Sequence, residues 1–397
     1  MLEYAQMSEI FRNTIDNGFR RAVYPYLVHG DAQADREIAH ERALTLMEQF
    51  QKVPCAVKVL GDIFSYQDPI LHTTFAGLTA QNPLGIAAGF DKNARVHNFI
   101  GEGLGFGSVT VGSITKVAYE GNPRPRIFEL SKSNAIINRM GFPGEGSESA
   151  VSRLRKDDPK GRRHLLIVNF AASKPSFESG RQIEDYVDVA KDLVPFGDEG
   201  EGNVSSPNTT GVRGLQEPEI FTDMVQAVSP VYEAASKPLR WKFGPDLGAE
   251  KLVLNAGTII DNAGAGITIT NTTTDSQIRE SLDKSDHHKG EMGGISGSPL
   301  TQKALETSHN LHTEIGEVLP IHRIGGIMNS KDLWDALTYG GATTVDIYSA
   351  FVKPDTSTPN LAYYLLRDLA ESMRKLGITS MTEFKNLRGK RVDFPLS

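Results

Sequence analysis

A single cysteine, Cys55, stands among 397 residues. That scarcity excludes an internal disulfide framework, a cysteine-ligated zinc site and an iron–sulfur cluster built from this chain alone. It suits a reducing compartment. No apolar run approaches the roughly 20 residues that cross a bilayer. The opening "MLEYAQMSEI" has neither the apolar core of a secretory signal nor the arginines of a transit peptide, so the chain is expected to stay where it is made unless its surface meets a membrane. A continuous basic stripe is also missing. The 42 basic and 49 acidic residues, net charge −7, are spread along the whole length, which argues against nucleic acid as a partner. The adjacent histidines of "SDHHKGEMGG" read as a solvated loop, so no metal is expected. What is present is a hydrophobic content of 39%, enough for a sizeable core in one large domain or two ordinary ones.

In the first seventy residues, Tyr4, Met7, Phe11, Ile15, Phe19, Ala22 and Tyr26 recur at steps of three and four and form one stripe of a helix. Arg12, Arg20 and Arg21 sit off that stripe. Such a helix either lies in a membrane interface with its arginines near lipid phosphates, or buries the stripe on its own protein. "ADREIAHERALTLMEQF" has the spacing of a second helix, bounded by Pro54.

From residue 85 the rhythm changes. Short apolar runs alternate with helical patterns: "GIAA", "GSVTVGS", "LLIVNF", "GNVSS", "LRWKF", "GITITN", "PIHRIGG" and "TTVDIYSA". Eight alternations predict an α/β fold, a (β/α)8 TIM barrel over residues 71–397, with a small helical domain over residues 1–70 before it. An open doubly wound sheet is the alternative. Its glycine-rich turn would have to be "GEGLGFG", which precedes a strand instead of following one.

The predicted strand ends share a chemical bias, carrying Lys92, Ser113, Asn169, Asn203, Ser206, Lys242, Thr270 and Asn271. Barrel enzymes do their chemistry at these ends. An asparagine presents a donor and an acceptor to a planar imide or amide edge, although any one of them can equally be a turn residue. The glycines of "RIGGI" and the turn at "IYSA" follow the seventh and eighth runs, where such barrels commonly bind phosphate on backbone N–H groups. Lys242 keeps three readings: a stem packed in the core, a Schiff-base nucleophile, or a cation beside an anionic part of a cofactor.

"FAGLTAQNPLGIAAGFDKNA", "GFGSVTVGSIT", "GNPRPRIFEL", "IINRMGF", "NVSSPNTTGVRGLQ", "TNTT", "GGISGSPL" and "IYSAF" together resemble, in order and spacing, the dihydroorotate dehydrogenases, and among them the membrane-associated, quinone-linked class 2. The resemblance implies FMN across the barrel mouth with dihydroorotate stacked on its ring. It implies oxidation to orotate in pyrimidine biosynthesis and return of the electrons to a membrane quinone. Carried over by motif, Ala88, Gly89, Ser113, Asn169, Asn203 and Lys242 would contact the flavin ring. Thr270 and Gly297 would line the site, and Gly326, Tyr348 and Ser349 would hold the phosphate. Lys92, Asn138, Arg139, Met140, Gly141, Phe142, Asn203, Asn208, Asn271 and Thr272 would surround the substrate. Ser206 matches the family's base, a position where soluble class 1 members place cysteine. The N-terminal helices would rest on the lipid surface and admit quinone through a slot lined by Phe11, Ile15 and Phe19. A peripheral place on the cytoplasmic side of a bacterial inner membrane is the location this implies.

Several residues depart from the pattern. Asp198, Glu199 and Glu201 stand where an apolar fourth strand is expected, and burying them unpaired costs on the order of several kcal/mol, enough to weaken folding or displace Ser206. Ala171 and Ala172 replace a usual glycine and lysine, and Glu129 replaces a common arginine. Arg323 occupies a normally small slot. Asp346 is expected close to the phosphate, with Arg323 as its candidate partner.

Overall fold

The computed structural model describes residues 2–53, 55–157, 161–353 and 355–396. Pro54 and the side chains of Tyr4 and Met7 lie outside the described residues. Among the described residues there are thirteen strands: β1 (Thr73–Phe75), β2 (Leu78–Ala80), β3 (Leu84–Ile86), β4 (Ser108–Ile114), β5 (Ile127–Leu130), β6 (Ala135–Asn138), β7 (Leu165–Phe170), β8 (Glu199–Asn203), β9 (Leu239–Phe243), β10 (Gly266–Ile269), β11 (Gly294–Gly297), β12 (Ile321–Ile324) and β13 (Thr344–Ile347). Strands β3, β4, β7, β8, β9, β10, β12 and β13 close a parallel barrel in chain order. The open-sheet alternative is therefore excluded. "GEGLGFG" contributes the end of a π-helical turn, Phe99–Gly103, and leads into β4.

Strand residues alternate between the barrel axis and the helical shell. On β9, Trp241 and Phe243 face the shell, where both pack against Phe221 of the helix Pro218–Ala234. Arg240 and Lys242 alternate with them. The fourth strand, "EGEGN", starts three residues before the "GNVSS" segment read from sequence, and none of its side chains is apolar. Its outward positions are glycines because neighbours fill the space. A Cβ on Gly200 would stand 2.2 Å from the Tyr232 ring, and one on Gly202 would stand 2.4 Å from the Trp241 ring. The strand buries apolar surface that belongs to other elements.

Its inward residues, Glu199 and Glu201, meet Arg240. The guanidinium donates from Nε to Glu201 Oε2 at 2.9 Å and from Nη1 to Glu199 Oε2 at 3.4 Å. Thr268 Oγ1 donates to Glu201 Oε2 at 2.6 Å. Below this layer the β1–β2 hairpin plugs the barrel, setting the Phe75 ring 5.4 Å from the Arg240 guanidinium and 6.0 Å from His322. The expected disruption by the acidic segment is thus met by a partner from the next strand. Asp198 lies at the rim, where Arg162 Nη2 donates to it at 2.5 Å.

Four N-terminal helices, α1 (Leu2–Gly18), α2 (Tyr24–Val28), α3 (Arg36–Lys52) and α4 (Ala56–Phe64), precede the hairpin. Asp35 caps α3 by accepting the Glu37 N–H at 3.0 Å. The stripe of α1 and α2 is divided: Ile15 packs on the core, whereas Phe11 and Tyr26 are exposed. Arg12 is not a surface cation. It donates to Asn360 Oδ1 at 2.9 Å and lies 3.4 Å over the Tyr363 ring, while buried Asp16 accepts from Asn360 Nδ2 at 2.7 Å and Tyr364 OH at 2.9 Å. Helix α3 is tied to the β5 region by Arg126–Glu37 at 2.7 Å and Arg36–Glu129 at 2.9 Å.

Strands β5, β6 and β11 form a separate antiparallel sheet in the order β11-β6-β5. One face buries Phe128, Leu130, Ile137 and Ile295. From the other, Ile127 and Ile136 face the interior cavities described below.

Candidate active site

Amide, hydroxyl and ammonium groups converge on a cavity of about 160 Å³ at the C-terminal ends of the barrel strands. Ala88, Gly89, Lys92, Ser113, Asn138, Met140, Gly141, Phe142, Asn203, Ser206, Asn208, Lys242, Thr270, Asn271, Thr272, Gly326, Tyr348 and Ser349 all line it. Three expected residues do not. Arg139 points to the outer face of the antiparallel sheet, where Nη1 donates to Glu291 Oε2 at 2.6 Å and the guanidinium covers the Phe128 ring. Gly297 is set by backbone packing: its φ is +91°, and a Cβ there would stand 2.4 Å from the Asn134 carbonyl oxygen. Asn169 is wholly buried behind the cavity wall. Gly112, Ser296, Gly325 and Met328 line the cavity without having been expected. The glycine-rich stretches around them were the available signal.

The asparagines are oriented by one another and by neighbouring serines. Asn208 Nδ2 donates to Asn138 Oδ1 at 2.9 Å, Asn203 Nδ2 donates to Ser113 Oγ at 2.8 Å, and Asn271 Nδ2 donates to Ser205 Oγ at 3.0 Å. These bonds fix which end of each amide faces a ligand. Ser206 Oγ accepts the Asn208 N–H at 3.3 Å. The serine therefore caps its own turn and also lines the cavity, and its hydroxyl proton is left free to find another acceptor. Thr272 Oγ1 is buried without a hydrogen-bond partner.

Both lysines of the site are shifted by their surroundings. Burial lowers the pKa of Lys92, against the opposing pull of Glu37 and Glu41. Burial likewise lowers Lys242, opposed by Glu201 and Asp346. Neither lysine has a described carboxylate within ion-pair distance, so each presents an ammonium to the cavity with little local neutralisation.

Glu201 connects this mouth to the barrel interior. Its Oε1 accepts from Asn169 Nδ2 at 2.6 Å. A carboxylate only accepts, so the amide nitrogen of Asn169 must face it and Oδ1 must face away. That Oδ1 is buried and has no partner. Burial alone would raise the Glu201 carboxyl; the charges of Arg240 and Lys242 outweigh it and hold the group down at about 2. Glu199, farther from the guanidinium and beside a second carboxylate, is pushed up by burial to about 8.

Asp346 lines the cavity but is not paired with Arg323. Adjacent strand residues face opposite ways, and on β12 the inward one is His322, whose Nε2 stands 3.0 Å from Asp346 Oδ2 outside hydrogen-bonding geometry. Thr110 Oγ1 donates to the same oxygen at 3.2 Å. Arg323 lies outside the barrel, where Nη2 donates to the Thr301 carbonyl at 3.2 Å.

A second cavity of about 330 Å³ lies between the N-terminal helices and the barrel. Phe19 lines it, as expected, but Phe11 and Ile15 do not. Ile127, Ile136 and Tyr348 line both cavities, so the wall between them is a single layer of side chains.

Residues 70–373 match the family model described as dihydroorotate dehydrogenase. A protein of Erythrobacter litoralis named dihydroorotate dehydrogenase (quinone) is 36% identical over 80% of this chain and 88% of its own length. One of Thermus thermophilus with the same name is 36% identical over 88% of this chain and 97% of its own. Among solved structures, that of the Eimeria tenella dihydroorotate dehydrogenase in complex with ferulenol superposes with a TM-score of 0.78 at 29% identity, covering 89% of this chain and 95% of that one. With its barrel, its mouth of oriented amides and these matches over most of its length, the chain belongs to the dihydroorotate dehydrogenase family.

Proposed function

We propose that the barrel-mouth cavity holds FMN against dihydroorotate, with Ser206 as the base that takes the C5 proton. The activity follows from family membership: the enzyme oxidises dihydroorotate to orotate in pyrimidine biosynthesis and passes the electrons to a quinone. The family is flavin-dependent. FMN, when bound, supplies the acceptor for the hydride that leaves C6.

The residues present fit such a cofactor. Gly89, at φ +103°, has only Tyr348 Cε2 within 4 Å of where a Cβ would stand, leaving an open backbone surface on which a flat ring can lie. Lys242 lines the cavity and offers its ammonium to the cofactor's polar pyrimidine edge. Gly325 and Gly326, both at positive φ, bring backbone close to the start of the helix Thr301–Ile315 and could not carry side chains there, since a Cβ on Gly326 would stand 2.3 Å from Thr301 Cα. Ser349 Oγ donates to Ser296 Oγ at 3.0 Å beside them, giving a phosphate both hydroxyls and N–H groups.

On the substrate side, the Asn138–Asn208 pair and Asn271 present amide edges to the planar imide. Lys92 faces the carboxylate. Serine is a weak base at its ordinary pKa. Here Ser206 passes its own hydroxyl proton to a water or hydroxyl relay as it takes the one from C5, the Asn208 N–H steadies the charge that develops on Oγ, and the surrounding cavity keeps bulk water from competing for the proton.

The observation that carries this reading is the convergence of Ser206, Lys92, the Asn138–Asn208 pair and the serine-held Asn271 on one cavity floored by Gly89. Visible absorbance tests it. The purified protein should be yellow, should bleach on adding dihydroorotate and should recolour with a quinone analogue. A protein that stays colourless after incubation with FMN would contradict it.

Division of the chain near residue 70, and a lipid surface as the partner of the N-terminal helices, belong to the same proposal. Exposed Ile10, Phe11, Tyr26, Phe50, Val53 and Val59 lie on these helices and their ends, and among the described residues no helix is long and apolar enough to cross a membrane. A peripheral location fits both facts. Co-sedimentation with vesicles of anionic phospholipid, weakened in Phe11→Ser and Tyr26→Ser, is the expected result.

A further inference from the structure

The cavity beneath the N-terminal helices is walled almost entirely by hydrocarbon, with aromatic and aliphatic side chains from α2, α3 and α4 on one side and Phe90, Phe351 and Val352 on the other. Arg36, His40 and Glu129 interrupt it, each held by a partner within the protein; Lys353 interrupts it without one. Its side chain is fully buried, it lines the cavity, and its Nζ has no hydrogen-bond partner. The nearest carboxylate oxygen is Glu129 Oε1 at 3.9 Å, too far to accept a hydrogen bond. Glu129 is also committed elsewhere, with Arg36 Nη2 2.9 Å from its Oε2. One carboxylate thus serves two cations, and the wall keeps an ammonium that has three donors and no acceptor.

A buried ammonium left in this state is costly unless something else completes its shell. The missing group must be an acceptor, and it must be carried by a molecule whose remainder is apolar enough for the rest of the cavity. A quinone meets both conditions: a ring with carbonyl oxygens on a hydrocarbon body. The position is also right. Tyr348, five residues before Lys353, belongs to the thin wall shared with the barrel-mouth cavity.

We propose that Lys353 donates a charge-assisted hydrogen bond to a carbonyl oxygen of the quinone headgroup and so sets which acceptors the enzyme uses. The inference rests on the reading that quinone occupies this cavity. Lys353 transfers no proton in this role; it holds the oxygen on which electron density builds as the quinone is reduced. Glu129, pinned by Arg36, keeps the ammonium directed along the wall.

Three variants test this in the full-length enzyme, with a short-tailed benzoquinone as the probe. Lys353→Met should raise the KM for the quinone about tenfold or more, and Lys353→Arg, which keeps a donor, should recover part of it. Bleaching of the flavin by dihydroorotate, measured without quinone, should keep its native rate; a slowed rate would assign Lys353 to the support of the barrel mouth and overturn the proposal. Ala43→Trp fills the cavity from α3 and tests the occupancy reading by itself. A raised quinone KM in Ala43→Trp with an unchanged one in Lys353→Met would overturn the role of Lys353 while leaving quinone in the cavity. Unchanged values in both would remove quinone from the cavity altogether.

Discussion

Inside the barrel, Arg240 is held by the Glu201 carboxylate, the Glu199 carboxyl and a threonine network, whereas in the cavity beneath the N-terminal helices Lys353 has one distant carboxylate and no hydrogen bond. Both cations are buried. The first is the centre of a group whose members compensate one another before any ligand arrives. The second is left for a molecule that comes and goes. The contrast teaches how to separate charges that hold a fold from charges that await a ligand: by whether the acceptors around them are already present. Lys242 stands between the two cases, set among the interior charges below and open towards the barrel mouth.

The comparison breaks most sharply at Arg240. Arg240→Leu leaves Glu199 and Glu201 buried around an apolar side chain, and should destabilise by about 3–5 kcal/mol, seen as a lower urea midpoint. Replacing all three residues by leucine should recover much of that loss, because an apolar layer of similar volume tolerates burial. Next in size is Glu201→Gln. A glutamine can meet Asn169 with either end of its amide, so the orientation of Oδ1 is no longer enforced and Lys242 loses a counter-charge. FMN affinity, followed by quenching of flavin fluorescence, should fall roughly tenfold.

Glu199 gives a smaller, pH-dependent effect of known sign. Its carboxyl stands at about 8 in the fold, against 4.5 as the ordinary value. The fold therefore holds a proton that the unfolded chain releases, and this contribution is complete below pH 4.5 and is lost as pH rises towards 8. Glu201 behaves oppositely: held near 2, it contributes above pH 4.5 and is lost as the pH falls towards 2. Urea midpoints between pH 5 and 8 should decline in the native protein and flatten in Glu199→Gln. The smallest effect sharpens the other half of the comparison. Lys353→Met should leave thermal stability unchanged or raise it by about 1–2 kcal/mol, since it removes an unpaired buried ammonium. A large loss on that substitution would mean that Lys353 is held by its surroundings as Arg240 is.

The barrel was legible because seven of its strands carry Val, Ile, Leu or Phe in short runs between helical patterns. The eighth, β8, hides its burial. Gly200 and Gly202 receive the rings of Tyr232 and Trp241, so hydrophobicity sits on the neighbours. Glu199 and Glu201 read as disruptive in the sequence because the register that pairs Glu201 with Arg240 is a property of two strands and shows in neither alone. Asp346 and Arg323 belong to neighbouring motifs, but alternation along β12 sends Arg323 outward and His322 inward. The amide-rich mouth was readable because its residues cluster at strand ends. Arg139 and Gly297 fell inside the same motifs yet face the sheet and its packing. Lys353 gave no signal in "FVKPD", since its isolation arises only where helices from the N-terminus close over it.

The most direct test mixes dihydroorotate rapidly with the flavin-loaded enzyme and compares the bleaching rate of the native protein with that of Ser206→Ala. A hydroxyl that takes the C5 proton predicts a slowing of about 10² to 10⁴-fold with flavin binding retained. Bleaching at the native rate in the variant would contradict the placement of the chemistry at Ser206.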